Sequence, residues 1–152
     1  MPQSSDLLFL LHDVARLLRH EADRRAGARG MTRAQWVILF WLQRQPGLSQ
    51  KELAEILEVE PITVARLIDR LEDRGMVERR DDPHDRRIWR LHLCPPAEPV
   101  LHDLHAERAD MLRMVSVGLD MDTLGALKEG LCRMKVNVVA DVRSKTLERD
   151  VA

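Results

Sequence analysis

The stretch from Leu48 to Leu93 reads LSQKELAEILEVEPITVARLIDRLEDRGMVERRDDPHDRRIWRLHL and carries the signals that decide the fold. Ser49 has the chemistry of a helix N-cap, because its hydroxyl can accept a hydrogen bond from an amide of the first turn. Glu52, three residues later, completes a capping box. The apolar residues that follow supply the inner face of a short helix, which we expect to end near Val59.

A second helix and a hairpin complete this stretch. Pro61 suits the first turn of the second helix, because its missing amide hydrogen would have no partner there, and Gly75 marks the end of that helix. Residues 76–80 and 88–93 alternate in character around a polar turn that contains Pro83, which predicts two strands. Two helices joined by a tight turn and followed by a hairpin are the elements of a winged helix-turn-helix.

The flanking sequence predicts further helices. An apolar stripe at three- and four-residue steps indicates a first helix from about Ser5 to Ala26, ended by the glycines that follow. Thr32 can cap the next helix, which stops near Pro46 and is apolar over so much of its circumference that we expect it to be buried. Two more helical segments follow Pro96. The stripes of the first and last helices consist of Leu7, Leu10, Leu11, Val14, Leu17 and Leu18, and of Leu124, Leu127, Leu131, Met134, Val138 and Val142.

The helix that begins at Pro61 is two-faced. Its apolar side packs inward, and its polar side carries Thr63, Arg66, Arg70 and Arg74. Arg66 and Arg70 are one turn apart, so both can reach one major groove, where an arginine fork bonds guanine O6 and N7. Thr63 offers a hydroxyl to a phosphate and a methyl to thymine. The alternative is a solvated face in which these arginines pair with Asp69 and Asp73, and the helix alone does not decide between the two.

The hairpin tip is basic. The motif DDPHDRR places Pro83 in a turn and Arg86 and Arg87 at the tip. A projecting basic tip can enter the narrow minor groove, where the negative potential attracts arginine. We expect Asp85 to bond turn amides or to hold a neighbouring arginine, since a carboxylate facing phosphate would repel it. An ordinary charged hairpin is the alternative, but helix and hairpin together favour DNA binding. The flanking strand arginines are Arg79, Arg80 and Arg90.

Composition limits the class of protein. The 152 residues, 45% of them hydrophobic, fit one compact domain. The sequence has neither a signal peptide nor an apolar run of membrane-spanning length, so we expect a cytoplasmic protein with no membrane partner. The net charge of -1 decides nothing, because binding DNA needs only a local basic face. Cys94 and Cys132 lack metal-site or disulfide spacing and are predicted to be packed thiols, a redox switch being the alternative.

These motifs resemble the MarR family of bacterial transcription regulators, and AEPVL after the hairpin suggests the SlyA-type branch. The resemblance covers MTRAQWVIL, LSQKELAEILEV, ITVARLIDRLEDRGMVERR and DPHDRRIWRLHL. It implies that Arg66 reads the major groove, that Arg86 enters the minor groove and that Arg87 pairs with Asp85. The full set of predicted DNA-binding residues is Ser49, Thr63, Arg66, Arg70, Asp85, Arg86 and Arg87.

One segment departs from the family pattern. The Leu-Thr-x-x-Gly that commonly follows the wing reads Leu-Cys-Pro-Pro-Ala at residues 93–97. Cys94 stands where threonine would cap the fifth helix, and cysteine caps poorly. We therefore expect a shifted helix start without loss of DNA binding.

The resemblance also implies a fold class and an assembly. The fold is expected to be mainly α with a small β-hairpin wing, a winged helix-turn-helix with flanking dimerisation helices. We expect one domain over residues 1–152, with the DNA-binding lobe at 32–94 and a helical dimerisation lobe at 5–27 and 96–148. The expected function is that of a ligand-responsive repressor, a homodimer on pseudo-palindromic operators with half-sites one helical turn apart. The apolar stripes need a partner helix in any case, in this chain or in a second copy.

The resemblance also implies a site for a small-molecule effector, for which the sequence offers only candidate contacts. Many members of the family bind small aromatic acids, so an aromatic or phenolic effector is predicted. Its candidate contacts are His12, Arg16, Trp36 and Trp41, with His20 nearby. For the tryptophans, burial in the core is the structural alternative, and for the histidines it is an ordinary surface or interface role.

Two other classes of function compete with DNA binding. A winged helix can serve as a protein-interaction module, in which the exposed arginines would meet an acidic partner. An enzyme is disfavoured, because the sequence shows no glycine-rich phosphate loop, no Cys/His cluster and no Ser/His/Asp grouping. We expect no cofactor and no metal.

Overall fold

The computed structural model describes the backbone of residues 6–150 and the side chains of residues 6–141. Ser5 and the side chain of Val142 lie outside the described residues. The fold is mainly helical with one antiparallel hairpin, as the sequence predicts. Its elements are α1 (Leu7–Ala28), α2 (Arg33–Arg44), α3 (Gln50–Leu57), α4 (Pro61–Asp73), β1 (Val77–Asp81), β2 (Trp89–Leu93), α5 (Ala97–Val115) and α6 (Met121–Asp150).

Both predicted capping residues occupy N-cap positions. The Thr32 hydroxyl accepts a hydrogen bond from the amide of Gln35, whose side chain accepts one from the amide of Thr32. Ser49 and Glu52 make the same reciprocal pair at the start of α3, at 3.2 and 2.7 Å. Each box satisfies two amides that an uncapped helix would leave without partners. The starts of α2 and α3 are therefore encoded locally.

The end of α1 differs from the prediction. The helix continues through Gly27 to Ala28, two residues beyond the expected end. The residue with left-handed backbone is Gly30, at φ +67°, and the amide of Met31 then bonds the carbonyl of Ala26. Gly27 keeps helical geometry because a glycine ends a helix only where the chain needs a positive φ.

The chain divides into two units, Met1–Glu107 and Arg108–Ala152, with the boundary inside α5. The predicted DNA-binding lobe at 32–94 falls wholly within the first unit. The grouping of 5–27 with 96–148 as one dimerisation lobe stays a prediction. Among the described residues, no helix combines the length and the apolarity needed to cross a bilayer.

The core of the first unit fixes α4 and the hairpin in place. Its most deeply buried large side chains are Ile38, Leu39, Leu42, Leu53, Val64, Ile68, Leu71, Val77 and Leu91. They come from α2, α3, α4 and both strands, so one apolar cluster holds all the elements of the winged helix-turn-helix. Full burial of such a side chain stabilises a fold by about 1.5–3 kcal/mol.

The tight turn between α3 and α4 has a left-handed residue at its centre. Glu58 adopts φ 54°, and the amide of Val59 bonds the carbonyl of Ala54. Pro61 then occupies the first turn of α4 without losing a hydrogen bond. This turn sets the angle between the two helices of the motif.

The hairpin is also tied to the chain that leads into α3. In the hairpin, Val77 pairs with Leu93 and Asp81 with Trp89. The amide of Gly47 bonds the carbonyl of Leu91, and the amide of Leu91 bonds the carbonyl of Leu48. Strand β2 is thus hydrogen-bonded on both edges, to β1 and to residues 47–48, so the base of the hairpin is held to the entrance of α3.

Ion pairs join α1 to the first part of α5 within the first unit. Arg25 bridges Glu21 and Glu107, and Arg29 reaches Asp103 at 2.7 Å and Glu107 at 3.0 Å. Hydrogen bonds from Arg24 and Arg25 lower the pKa of Glu21 to about 2. These ion pairs hold the C-terminal end of α1, where Ala26 is also buried in the core.

Helix α6 starts as expected, with the Asp120 carboxylate accepting a bond from the amide of Thr123 at 2.8 Å. Much of its predicted apolar stripe is exposed within the single chain, at Leu127, Leu131, Met134 and Val138. Cys132 is exposed too, so its prediction as a packed thiol is wrong within the described chain. Cys94 is half-buried, and burial raises the pKa of its thiol.

Candidate nucleic-acid interface

Helix α4 has the two faces that its sequence predicts. Val64, Ile68 and Leu71 are buried, while Thr63 and Arg66 are exposed. Arg70 and Arg74 are exposed on the same polar side, and Arg74 also donates a long bond, 3.3 Å, to the carbonyl of Gly30. The apolar face anchors α4 in the core and leaves the polar face to the solvent.

The aspartates of α4 do not neutralise its central arginines. Asp69 accepts from Arg79 of β1, at 2.6 Å, instead of pairing along the helix. Over the described side chains, no ion pair joins Arg66 or Arg70 to a carboxylate. The pairing of these two arginines with Asp69 and Asp73, which was the alternative to DNA contact, is therefore not formed.

Arg79 is a clamp within the lobe rather than a surface cation. Its guanidinium bonds Asp69 and Glu72 of α4 and, at 3.0 Å, the side-chain oxygen of Gln50 in α3. Three elements thus converge on one side chain, which is largely buried. Arg79 lies on the strand beside the tip, as the sequence predicts, but its charge is offset by two carboxylates.

The two other strand arginines are paired as well. Arg80 binds Glu78, and Arg90 binds Asp82 at 2.6 Å and Glu52 at 3.1 Å. The basic flanks expected from the sequence are therefore internally neutralised. Within the hairpin, the positive charge that remains available to a ligand lies at the tip.

The tip itself is held by two aspartates. Asp82, only 8% exposed, accepts from the amides of His84 and Asp85 at 2.7 and 2.9 Å. Arg90 and these two amides lower the pKa of Asp82 to about 2. The turn that follows Asp82 is thus closed around a carboxylate that stays ionised at neutral pH.

Asp85 braces the arginine next to the tip. Its carboxylate accepts from the amide and the guanidinium of Arg87, at 3.0 to 3.1 Å, which lowers the pKa of Asp85. This geometry has both elements expected of Asp85, a bonded turn amide and a held arginine. Arg86, between the two, is exposed and has no ion pair among the described residues. The tip therefore presents one arginine whose neighbours are fixed.

Ser49 occupies a different environment from the other predicted contacts. It is buried, its hydroxyl accepts the capping bond, and its backbone forms a bridge with Arg90. These bonds give it a structural role at the base of the hairpin. A direct contact between its side chain and DNA stays a prediction.

Two exposed apolar residues near the interface were missed by the sequence reasoning. Ile62 lies in the first turn of α4 and is 62% exposed, and Trp89 opens β2 and is 47% exposed. The helical position of Ile62 could have predicted its exposure, because Ile62 lies off the apolar face marked by Val64 and Ile68. The alternation of β2 gave no such signal for Trp89, which shares a strand face with buried Leu91 but lies near the tip, beyond the core.

The proposed effector contacts are dispersed over α1 and α2. His12 and His20 are exposed on α1, and so is Arg16, which pairs with Asp13. Trp36 is 6% exposed and belongs to the core, as the structural alternative predicts, and Trp41 is half-buried against it. Within the described chain, no cluster of three metal-ligating side chains is present.

Comparison with known proteins decides the family. The sequence model of the MarR family matches residues 29–88, which contain α2, α3, α4, β1 and the wing tip. The solved structure of the transcriptional regulator PA3341 is 34% identical, with 87% of this chain and 97% of that chain aligned at a TM-score of 0.76.

The protein belongs to the MarR family.

Two further solved structures agree over most of the chain. The transcriptional regulator SlyA aligns at 28% identity and a TM-score of 0.77, covering 90% of this chain and 96% of its own. A structure of MarR aligns at 28% identity and 0.74, covering 95% and 98%. Because the two identities are equal, the SlyA-type branch stays a prediction. Helix α5 starts at Ala97, after both prolines, with the amide of Ala97 bonded to the carbonyl of Cys94.

Proposed function

We propose that this MarR-family protein is a sequence-specific regulator that places α4 in the major groove of duplex DNA and the wing tip in the adjacent minor groove. One observation carries the proposal: Arg79, Arg80, Arg87 and Arg90 are paired with carboxylates, whereas Arg66, Arg70 and Arg86 are exposed without an ion pair in the described structure. The paired arginines hold the lobe in shape. The unpaired arginines lie on the surfaces that would contact the two grooves.

The free groups divide into base readers and positioning contacts. Arg66 and Arg70 present forks suited to guanine O6 and N7, and Thr63 presents a hydroxyl suited to a phosphate. Ile62, exposed at the start of the same helix, offers an apolar surface suited to a thymine methyl. Arg86 meets the negative potential of a narrow minor groove.

Homodimerisation is part of the proposal. Six apolar side chains of α1 are exposed in the single chain, namely Leu7, Leu8, Phe9, Leu10, Val14 and Leu17. Together with the apolar stripe of α6, this is more apolar surface than a soluble monomer ordinarily presents to water. A two-fold dimer would present two copies of α4 to half-sites about one helical turn apart, and so read a pseudo-palindrome.

DNA binding is tested by selecting duplexes from a random library and titrating the selected sequence at several salt concentrations. We expect log affinity to fall linearly with log salt, at about -0.9 per phosphate neutralised. A scrambled duplex should bind more weakly and with a similar slope. If no duplex is bound in a salt-dependent manner, DNA recognition fails and the protein-interaction alternative takes its place.

We further propose that the protein represses transcription and releases DNA on binding a small aromatic or phenolic compound. His12 and Arg16 are exposed on α1 and Trp41 is half-buried on α2, so these three are accessible to a ligand, whereas Trp36 lies in the core. Benzoate is a suitable probe, with cyclohexanecarboxylate as the non-aromatic control. Benzoate should lower affinity for the selected duplex more than the control does, and equal effects would exclude recognition of an aromatic ring.

A further inference from the structure

The wing contains a buried acid that the DNA-binding proposal leaves unexplained. Asp82 lies in a loop expected to approach phosphates, yet its carboxylate is charged and nearly inaccessible. All of its observed partners are internal: the amides of His84 and Asp85 bond one oxygen, and Nε of Arg90 bonds the other at 2.6 Å. A buried carboxylate with this many donors orders the groups around it.

Arg90 connects that acid to the helix-turn-helix. The same guanidinium donates to Glu52 at 3.1 Å and to the carbonyl of Gly47 at 3.3 Å. Glu52 is the capping-box residue of α3, and it accepts from the amide of Ser49 at 2.7 Å. A continuous series of hydrogen bonds therefore runs from the cap of α3, through Arg90 and Asp82, to the amides of the wing tip.

The charges around Arg90 argue against a direct contact with DNA. Its guanidinium lies between two carboxylates, Asp82 and Glu52, and its side chain is mostly covered. Arg86, by contrast, is exposed and lies beside the two residues, Asp85 and Arg87, that the series holds in place. Fixing a loop in its bound shape strengthens binding, because less conformational entropy is lost when the complex forms.

We infer that Arg90 is a positioning residue of the DNA-binding site, which holds the wing tip through Asp82 so that Arg86 is pre-aimed at the minor groove. This inference rests on the proposed function and adds the element that sets the wing. It also gives Glu52 a second role, since this member of the α3 capping box also anchors the wing through Arg90.

A double-mutant cycle tests the inference, with Arg86→Ala, Arg90→Gln and the double variant titrated against the selected duplex. Arg90→Gln should weaken binding, and adding Arg86→Ala to it should change affinity by no more than about twofold, the margin expected of coupled sites. Arg80→Gln is the matched control, because Arg80 pairs with Arg90 in the hairpin register but forms its ion pair with Glu78. It should bind nearly as the parent does. Losses that multiply in the double variant would show that Arg90 acts independently of Arg86 and would overturn the inference.

Asp82→Asn supplies a second, electrostatically opposed test. The change removes a negative charge from the wing and would strengthen DNA binding if only net charge mattered. The inference predicts weaker binding, because Arg90 loses its charged partner in the loop. Equal or tighter binding of Asp82→Asn would contradict it.

Amide hydrogen exchange tests the same inference without DNA. In Arg90→Gln, the amides of His84 and Asp85 should exchange faster than in the parent, while Arg80→Gln leaves them unchanged. Unchanged exchange in Arg90→Gln would overturn the inference whether or not the protein binds DNA. Failure of the parent to bind any duplex would instead count against the proposed function alone.

Discussion

At the scale of single residues, the arginines of the winged lobe differ in whether a carboxylate pairs with them. Arg79 and Arg90 each bind two carboxylates, and Arg87 is held by Asp85. Arg66 and Arg86 have no such partner in the described structure. An arginine that is already paired with a carboxylate contributes little binding free energy when it meets a phosphate. We therefore expect Arg66 and Arg86 to contribute most of the affinity for DNA.

Trp89 provides an optical report of the wing. Of the three tryptophans, Trp36 is buried, Trp41 is half-buried and Trp89 is 47% exposed at the start of β2. If the wing meets DNA, adding the selected duplex should change the tryptophan emission, and Trp89→Phe should abolish most of that change. An emission change that persists in Trp89→Phe would place the responding tryptophan away from the wing.

At the scale of elements, the sequence predicted what local chemistry encodes. The caps at Thr32 and Ser49, the proline start of α4 and both strands lie within two residues of their expected places. The sequence did not predict the ion pairs between side chains of different elements. Arg79 reaches Asp69 across from β1 to α4, and no spacing rule within one helix or strand anticipates such a contact. The sequence could therefore name the basic residues of the site, but it could not tell which of them remain free.

The cap of α3 should contribute to stability as a local feature. Ser49→Ala removes the acceptor for the amide of Glu52 and should lower the free energy of unfolding by about 1 kcal/mol. Ser116→Ala is the matched control, because that hydroxyl bonds a carbonyl near the end of α5 and caps no amide. Its effect should stay within about 0.5 kcal/mol in the same urea titration. Equal losses of unfolding free energy in the two variants would show that the Ser49 cap contributes no special stability.

At the scale of the whole molecule, the exposed stripe of α6 predicts a second copy. Leu131→Asp places a charge in the middle of this stripe and should convert the dimer to a monomer in sedimentation equilibrium, with helical content retained. Val136→Asp is the control, because Val136 is exposed on the opposite side of the helix at 100° per residue. A parent that sediments as a monomer, or two variants of equal mass, would contradict dimerisation through this stripe.

Ion pairs throughout the first unit set its response to acid. The pKa values of Glu21 and Asp82 are each lowered to about 2 by paired arginines, and those of Glu52 and Glu107 are lowered too. Such groups stabilise the fold above the ordinary carboxyl pKa of about 4 and lose that contribution as pH falls towards 2. The urea midpoint should therefore fall progressively as the pH is lowered from about 5 to about 2, because these carboxylates lose their stabilising effect between the ordinary pKa and the lowered ones. Asp82→Asn should show a smaller drop, and an equal drop would show that Asp82 is not a contributor.

The central claim is that Arg66 and Arg86 form the free, DNA-reading part of the winged lobe, and one set of titrations tests it most directly. Arg66→Ala, Arg86→Ala and the control Arg44→Ala, which removes an exposed arginine at the end of α2, are titrated against selected and scrambled duplexes. Arg66→Ala should cost about 1–3 kcal/mol on the selected duplex and reduce the preference for it. Arg86→Ala should weaken binding to both duplexes and flatten the salt slope by about one unit, while Arg44→Ala binds as the parent does. If Arg66→Ala and Arg86→Ala are indistinguishable from Arg44→Ala, these arginines do not read DNA and the account is wrong.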